Sequence, residues 1–250
     1  MSRALPKPSE PPAALIDSVG AGCPIAAAMA ALAPKLPGVR QRRKAARPQE
    51  LLEAALTLFV EKGLAATRAE EVAKLAGVSK GTLYLYYPSK DELFKAVIQT
   101  YLTQVLVEGS EIVDQFTGPT SELMRLLAHT WWARVGESKA AGLLVLIMAE
   151  ANKFPELAQF YVNEVVAPSH DLLARVVQRG IDRGEYRAME ITPVVHALIA
   201  PMQFLILYRQ CTSVCAVDPV PLDPEAFMNT QIELLMRGLE VRPPSPPATP

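Results

Sequence analysis

Residues 67–93 read Thr67-Arg68-Ala69-Glu70-Glu71-Val72-Ala73-Lys74-Leu75-Ala76-Gly77-Val78-Ser79-Lys80-Gly81-Thr82-Leu83-Tyr84-Leu85-Tyr86-Tyr87-Pro88-Ser89-Lys90-Asp91-Glu92-Leu93. Val72, Ala73, Leu75 and Ala76 mark a short helix that ends at Gly77. Ser79 caps the next helix and Pro88-Ser89 closes it. Ala73 is small enough to let two helices approach, Gly77 can take the left-handed conformation of a tight turn, and Val78 packs that turn against the first helix. This is helix-turn-helix chemistry. On the second helix Lys80, Gly81, Thr82, Tyr84 and Tyr86 lie on or beside the exposed face, while Leu83 and Tyr87 face inward. They offer base edges and phosphates a charge, a close backbone approach, a hydroxyl and two phenols. A helical hairpin with a solvated face is the plainer alternative.

Upstream, Leu51, Leu52, Ala55, Leu58 and Phe59 follow the spacing of one helix face, and Gly63 stops that helix just after Lys62. Downstream, Ser89 caps a fourth helix with Asp91 and Glu92 in its first turn, as the helix dipole favours, and this helix runs on past Tyr101. Three short helices thus precede a long one. Before them, Arg40, Arg42, Arg43, Lys44 and Arg47 form a basic cluster with no acid between Asp17 and Glu50. It reads as a flexible arm placed to reach a groove, with a solvated linker as the alternative for the arm alone. The net charge of −1 conceals an asymmetry: residues 39–104 carry 11 basic and 7 acidic side chains, residues 105–250 carry 11 and 17.

These residues resemble the DNA-binding domain of the TetR/AcrR family of bacterial transcriptional regulators. The likeness covers residues 46–96, including Ala54-Ala-Leu-Thr-Leu-Phe59, Gly63, Thr67, Val72-Ala73, Ala76-Gly-Val-Ser-Lys-Gly-Thr-Leu-Tyr84, Lys90 and Leu93. The resemblance implies that Tyr84, Lys90 and Thr67 bind phosphates and that Lys80, Gly81, Thr82 and Tyr86 approach bases. Arg43 and Lys44 of the arm, Arg68 and Ser79 complete the expected contact set. Two departures bear on base preference. Arg68 stands where the family usually has a small capping residue, and Leu85-Tyr86-Tyr87 replaces the common ending with a histidine and phenylalanine.

Beyond residue 105 only the layout resembles the family. Helices are predicted over 120–136, 139–152, 155–183, 192–211 and 224–240, the last two opening with Thr192-Pro193 and Asp223-Pro224. The 192–211 helix carries two apolar stripes, Val195, Leu198, Met202 and Leu205 on one, Val194, Ala197, Pro201, Phe204 and Tyr208 on the other. The last helix is similarly over-supplied with Phe227, Met228, Ile232, Leu234, Leu235 and Leu239. Family layout implies a four-helix dimer interface from these two helices, for which Leu198, Met202, Leu205, Phe227, Leu234 and Leu235 are the candidates. A single thick core is the alternative. His129, Trp131, Trp132, Met148, Glu150, Phe154, Tyr161, His170 and Tyr208 are aromatic, soft or polar residues on otherwise apolar helices and are the candidate lining of an effector pocket. Each alone is more often a core residue. Glu150 follows the apolar run Gly142–Ala149, where a carboxylate needs a partner such as an arginine or a cationic effector.

The fold expected is therefore all-α: an Ala/Pro-rich extension over 1–38, the basic arm over 39–47, a helix-turn-helix domain over 46–104, a helical effector-binding and dimerisation domain over 105–240, and a proline-rich tail over 241–250. Fifteen of the 22 prolines fall in residues 1–38 or 219–250. Half the residues are hydrophobic, which excludes a wholly disordered chain. Cys23, Cys211 and Cys215 have no zinc spacing and cannot all pair, which suits a reducing cytoplasm. Pro6, Pro8, Pro11, Pro12 and Asp17 interrupt any signal-peptide core. The apolar run Ile191–Tyr208 holds His196, Pro201 and Gln203 and reads as a buried helix, with no membrane partner. No Glu-x-x-His pair, phosphate-binding glycine loop or Gly-x-Ser-x-Gly is present, so neither catalysis nor a metal or cofactor is expected. The function expected is a one-component regulator, a repressor above all. It would bind a palindromic operator as a homodimer and be released by a small apolar effector acting through the fourth helix. An architectural DNA binder or an activator without effector is the alternative.

Overall fold

The computed structural model describes residues 39–215 and 221–241, and its regular structure among these is helical. The order is α1 (Val39–Ala66), α2 (Ala69–Leu75), α3 (Lys80–Tyr86), α4 (Lys90–Ile98), α5 (Gln104–Gln115), α6 (Thr120–Trp131), α7 (Ala140–Glu150), α8 (Pro155–Tyr161), α9 (Ala167–Asp182), α10 (Ile191–Cys215) and α11 (Pro224–Leu239). Tyr186 and Glu240 form one isolated antiparallel bridge.

The basic arm departs from the sequence reading. The backbone is helical from Val39, and Pro48 lies inside α1 where a flexible segment was expected. Gln41-Arg-Arg-Lys-Ala-Ala46 consists of strong helix formers, which favours a helical backbone here although Pro48 removes one hydrogen bond and crowds the preceding turn. The side chains of Arg43 and Lys44 lie outside the described residues, as do the extension 1–38, Cys23, the side chains of Cys211 and Cys215, and the tail beyond Val241. Helical dihedrals break at Gly63 (φ 82°, ψ 163°), where the sequence places the stop.

Three π-helical turns carry helices onward without a break. Gln99–Thr103 joins α4 to α5, Trp132–Gly136 extends α6, and Val162–Val166 joins α8 to α9. The expected boundary at residue 104 thus falls inside one continuous helical run. From Ala45 onward the chain forms a single compact unit with one contiguous core. At the end built by α1–α4, Leu51, Ala55 and Phe59 of α1 are buried in one core with Val72, Leu83 and Phe94, and the Phe59 and Phe94 rings meet edge to face at 5.2 Å. At the other end Leu123, Leu143, Val176, Val177, Leu205 and Met228 are sealed from solvent. α7 lies so close to α1 that a Cβ on Gly142 would sit 2.5 Å from Val60 Cγ1.

Candidate nucleic-acid interface and effector cavity

The α2–α3 pair meets through a turn in which Gly77 has φ +66° and the Val78 N–H donates to Ala73 O at 2.9 Å. Ser79 caps α3 by accepting the Thr82 N–H at 3.1 Å, and the Ser79 and Thr82 hydroxyls bond each other at 2.9 Å. Leu83 is fully buried and anchors α3, which leaves Lys80, Gly81, Tyr84 and Leu85 exposed; Leu85 is 80% exposed. Lys80 pairs with Glu70 of α2 and stands 5.7 Å over the Tyr84 ring. That ion pair holds the Glu70 carboxyl below its ordinary value and raises Lys80. Arg68 is exposed at the start of α2, its N–H accepted by Glu71. Thr82 and Tyr86 are half-buried, as is Tyr87, whose phenol burial pushes up.

Two expected phosphate ligands are committed elsewhere. Thr67 is 2% exposed, and its hydroxyl donates to Leu58 O at 3.1 Å and Gly63 O at 2.7 Å. Lys90 Nζ donates to Leu64 O at 2.7 Å, Ala65 O at 3.2 Å and Thr67 O at 3.3 Å. A helix ending at Gly63 leaves its last carbonyls unpaired, and an ammonium and a hydroxyl satisfy them. Both residues therefore build the α1–α2 corner instead of facing outward.

A cavity of about 200 Å³ lies among α5, α6, α7, α9, α10 and α11. Each π turn contributes to its wall, with Leu102, Val135 and Val165 respectively. The wall is overwhelmingly aliphatic. Its polar members are Thr130, Tyr161, Ser169, His170, Gln203 and Gln231, and no lysine, arginine, aspartate or glutamate is among them. Burial raises the Tyr161 phenol above its ordinary value. The His170 ring meets the His196 ring at 4.7 Å, and His196 Nδ1 lies 2.8 Å from Thr192 O.

Trp131, Met148, Tyr161 and His170 of the expected lining stand on the cavity wall. The other five do not. His129 Nε2 bonds Asn229 at 3.0 Å on an accessible surface. Trp132 is buried 5.6 Å beneath the Arg209 guanidinium. Tyr208 stacks on Phe204 at 5.8 Å. Glu150 and Phe154 lie on the far side of α7 beside Leu64 and Phe94 of the DNA-binding end. There Glu150 Oε2 accepts the Leu64 N–H at 3.2 Å, so its partner is a backbone amide instead of an arginine or a ligand.

The outer face of α10 carries an apolar patch that continues onto α11 at Leu234. Phe204 (47%), Leu207 (42%) and Leu234 (60%) are exposed, and the Phe204 and Phe227 rings pack at 5.5 Å. Four expected interface residues turn inward. Leu205 is fully buried in its own subunit, while Leu198 and Met202 line the cavity, which Leu235 also touches. The sequence showed two stripes on α10; the stripe of Ala197 and Phe204 is the outward one.

Residues 51–97 match the bacterial regulatory proteins of the tetR family, and residues 114–213 match the tetracyclin repressor-like C-terminal domain. The chain belongs to the TetR family. The HTH-type transcriptional repressor KstR2 of Mycolicibacterium smegmatis is 29% identical over 144 residues, 57% of this chain and 69% of that one. Among solved structures, FadR of Bacillus subtilis in complex with stearoyl-CoA superposes with a TM-score of 0.60 at 19% identity, covering 76% of this chain and 98% of that one. NalD, the secondary repressor of the MexAB-OprM multidrug efflux pump in Pseudomonas aeruginosa, does so at 0.60 and 25% identity, covering 78% and 96%.

In this TetR-family regulator, two features of the region lie outside the sequence expectations. Leu85 is an apolar residue that the helical period of α3 puts on its outer face, where it is 80% exposed. The Leu64 backbone as a ligand of Glu150 and Lys90 left no sequence signal, because a main-chain group has no residue type.

Proposed function

We propose that this chain is a transcriptional repressor that binds a palindromic operator as a two-fold homodimer in the cytoplasm and is released by a small, mainly apolar molecule. The reading is carried by the uncharged cavity of about 200 Å³ walled by α7 and by the run that continues α4, since both of these also pack on the DNA-binding end. Residues 46–104 supply the DNA-reading half and residues 105–240 the effector and dimerisation half. Lys80, Gly81, Thr82, Tyr84 and Leu85 form the base-reading surface of α3, with Tyr84 and Arg68 placed for phosphates. The relatives support this division of labour: KstR2 is a repressor, and FadR holds an acyl-CoA. Here the absence of a cationic wall residue favours a neutral buried portion, with a single polar group bonded by Tyr161 or His170. A ligand acts by binding the operator-free conformation more tightly, since equal affinity for both shifts nothing.

Selection of binding sites from random duplexes is the test. An enriched inverted repeat with half-sites about 34 Å apart is expected. Recovery of unenriched sequences would remove the reading. Thermal melting against a panel of neutral apolar compounds would then supply the effector class, with Trp131→Ala expected to lose the melting shift and keep operator affinity within a few-fold.

A further inference from the structure

Leu64 is a residue at which side chains from two further helices meet the end of α1. Its side chain is 2% exposed. Its N–H is bound by the carboxylate of Glu150, the last residue of α7, at 3.2 Å, and its carbonyl by the ammonium of Lys90, the first residue of α4, at 2.7 Å. Two oppositely charged side chains, from helices 86 and 26 residues away in sequence, thus grip the backbone of one residue on either side of its Cα. Both helices lead to the cavity. α7 places Leu144 and Met148 on its wall, and α4 runs without a break into the π turn that places Leu102 there.

The segment being gripped orients the DNA-reading helices. Gly63 with its positive φ precedes Leu64, Thr67 closes the turn by donating to Gly63 O, and α2 begins two residues later. The site is also tightly built: a Cβ on Gly63 would lie 3.2 Å from Glu150 Oε1. Glu150 has a further ammonium, Lys153, only at 4.0 Å, and its side chain is 16% exposed. A mostly buried carboxylate with an N–H as its nearest donor is a positional constraint, because leaving that N–H is costly in the absence of water.

We propose that the Glu150–Leu64–Lys90 clamp is the coupling element of this regulator, and that Glu150 is the positioning residue through which cavity occupancy moves the helix-turn-helix. The proposal rests on the reading of the cavity as the effector site. Filling the cavity displaces α7 relative to α4, the two grips on Leu64 shift apart, and α2 and α3 follow. Without the Glu150 grip, α7 moves while the DNA-reading helices stay.

A cycle that needs no identified effector tests this. Ser169→Phe fills part of the cavity in place of ligand, and operator affinity is measured on the duplex recovered by selection, in the wild-type and Glu150→Ala backgrounds. Ser169→Phe is expected to change operator affinity at least ten-fold alone and less than three-fold beside Glu150→Ala. Glu150→Gln, whose amide oxygen can still accept the Leu64 N–H, restores most of the ten-fold effect. The Leu64 amide resonance reports the same event: it shifts with Ser169→Phe in the wild type, and Glu150→Ala alone moves it upfield with faster hydrogen exchange. An equal effect of Ser169→Phe with and without Glu150, or a Leu64 amide indifferent to cavity filling, overturns the clamp and leaves the cavity's role intact. No effect of filling in the wild-type background, with the variant folded by melting, overturns the cavity reading and the clamp together.

Discussion

At the scale of single residues, the molecule separates two lysines that the sequence treats alike. Lys80 stands exposed on α3, paired only with the exposed Glu70, whereas Lys90 is spent on three carbonyls of the α1–α2 corner. A cation that neutralises a phosphate releases counterions, and one that closes a helix terminus does not. Lys80→Met is therefore expected to lower the slope of log operator affinity against log salt by about one, and Lys90→Met to leave it unchanged while lowering the melting temperature. Affinity measured across a salt series separates the two, and equal slopes for both variants would return Lys90 to the phosphates. Glycines carry comparable information. Gly142→Ala puts a Cβ 2.5 Å from the β-branched Val60 at the α1–α7 contact, where no flexible side-chain end can yield. Overpacking of this kind costs about 1–3 kcal/mol, to be read from denaturant midpoints.

At the scale of elements, most of the helices were legible because capping residues and apolar spacing are local. Ser79, Ser89 and Asp223 each cap the helix their position announces. What was not legible is set by partners distant in sequence. The π turns need a residue's worth of extra backbone that no residue type encodes, and which stripe of α10 faces outward depends on where α9 and α11 pack. The cap of α6 is also of this kind: Pro119 offers no side-chain acceptor, and the Thr120 N–H is instead bound by Glu185 at 2.6 Å. Partial burial opposes ionisation of Glu185, yet the Thr120 bonds and the Arg183 guanidinium more than compensate, so its carboxyl lies below its ordinary value of 4.5. A carboxyl whose folded value is depressed contributes stability above its unfolded value, and that contribution fades as pH falls through the folded one. Glu185→Gln should accordingly cost about 1 kcal/mol near pH 7, some 2–4 °C in melting temperature, and progressively less below pH 4.5. A cost that is constant from pH 7 to pH 3 would deny the carboxylate that role.

At the scale of the whole molecule, α10 presents the problem that the proposed second copy would solve. It is long and apolar enough to cross a membrane by length and composition, yet within the bundle it walls the cavity with Leu198 and Met202, fills the core with Leu205 and Ile206, and leaves Phe204 and Leu207 outside. Those two, with Leu234 and the half-buried Phe227 of α11, make an apolar face that the described residues leave open. A two-fold partner covers such a face with its own copy of it, which is the self-complementary solution open to identical chains. In the proposed dimer the same pairing would fix two α3 helices at one separation, so the second half-site would be met at the high effective concentration of a tethered module. Phe204→Asp with Leu234→Asp is therefore expected to give a monomer by sedimentation at micromolar concentration. Melting should stay close to that of the wild-type fold, because both side chains are exposed within the subunit. Affinity for the full inverted repeat should fall by about 100-fold or more, and affinity for an isolated half-site should hardly change. A double variant that stays dimeric would place the interface on another surface. A monomer that binds the full repeat as tightly as the wild type would instead show that each helix-turn-helix reads DNA without the other.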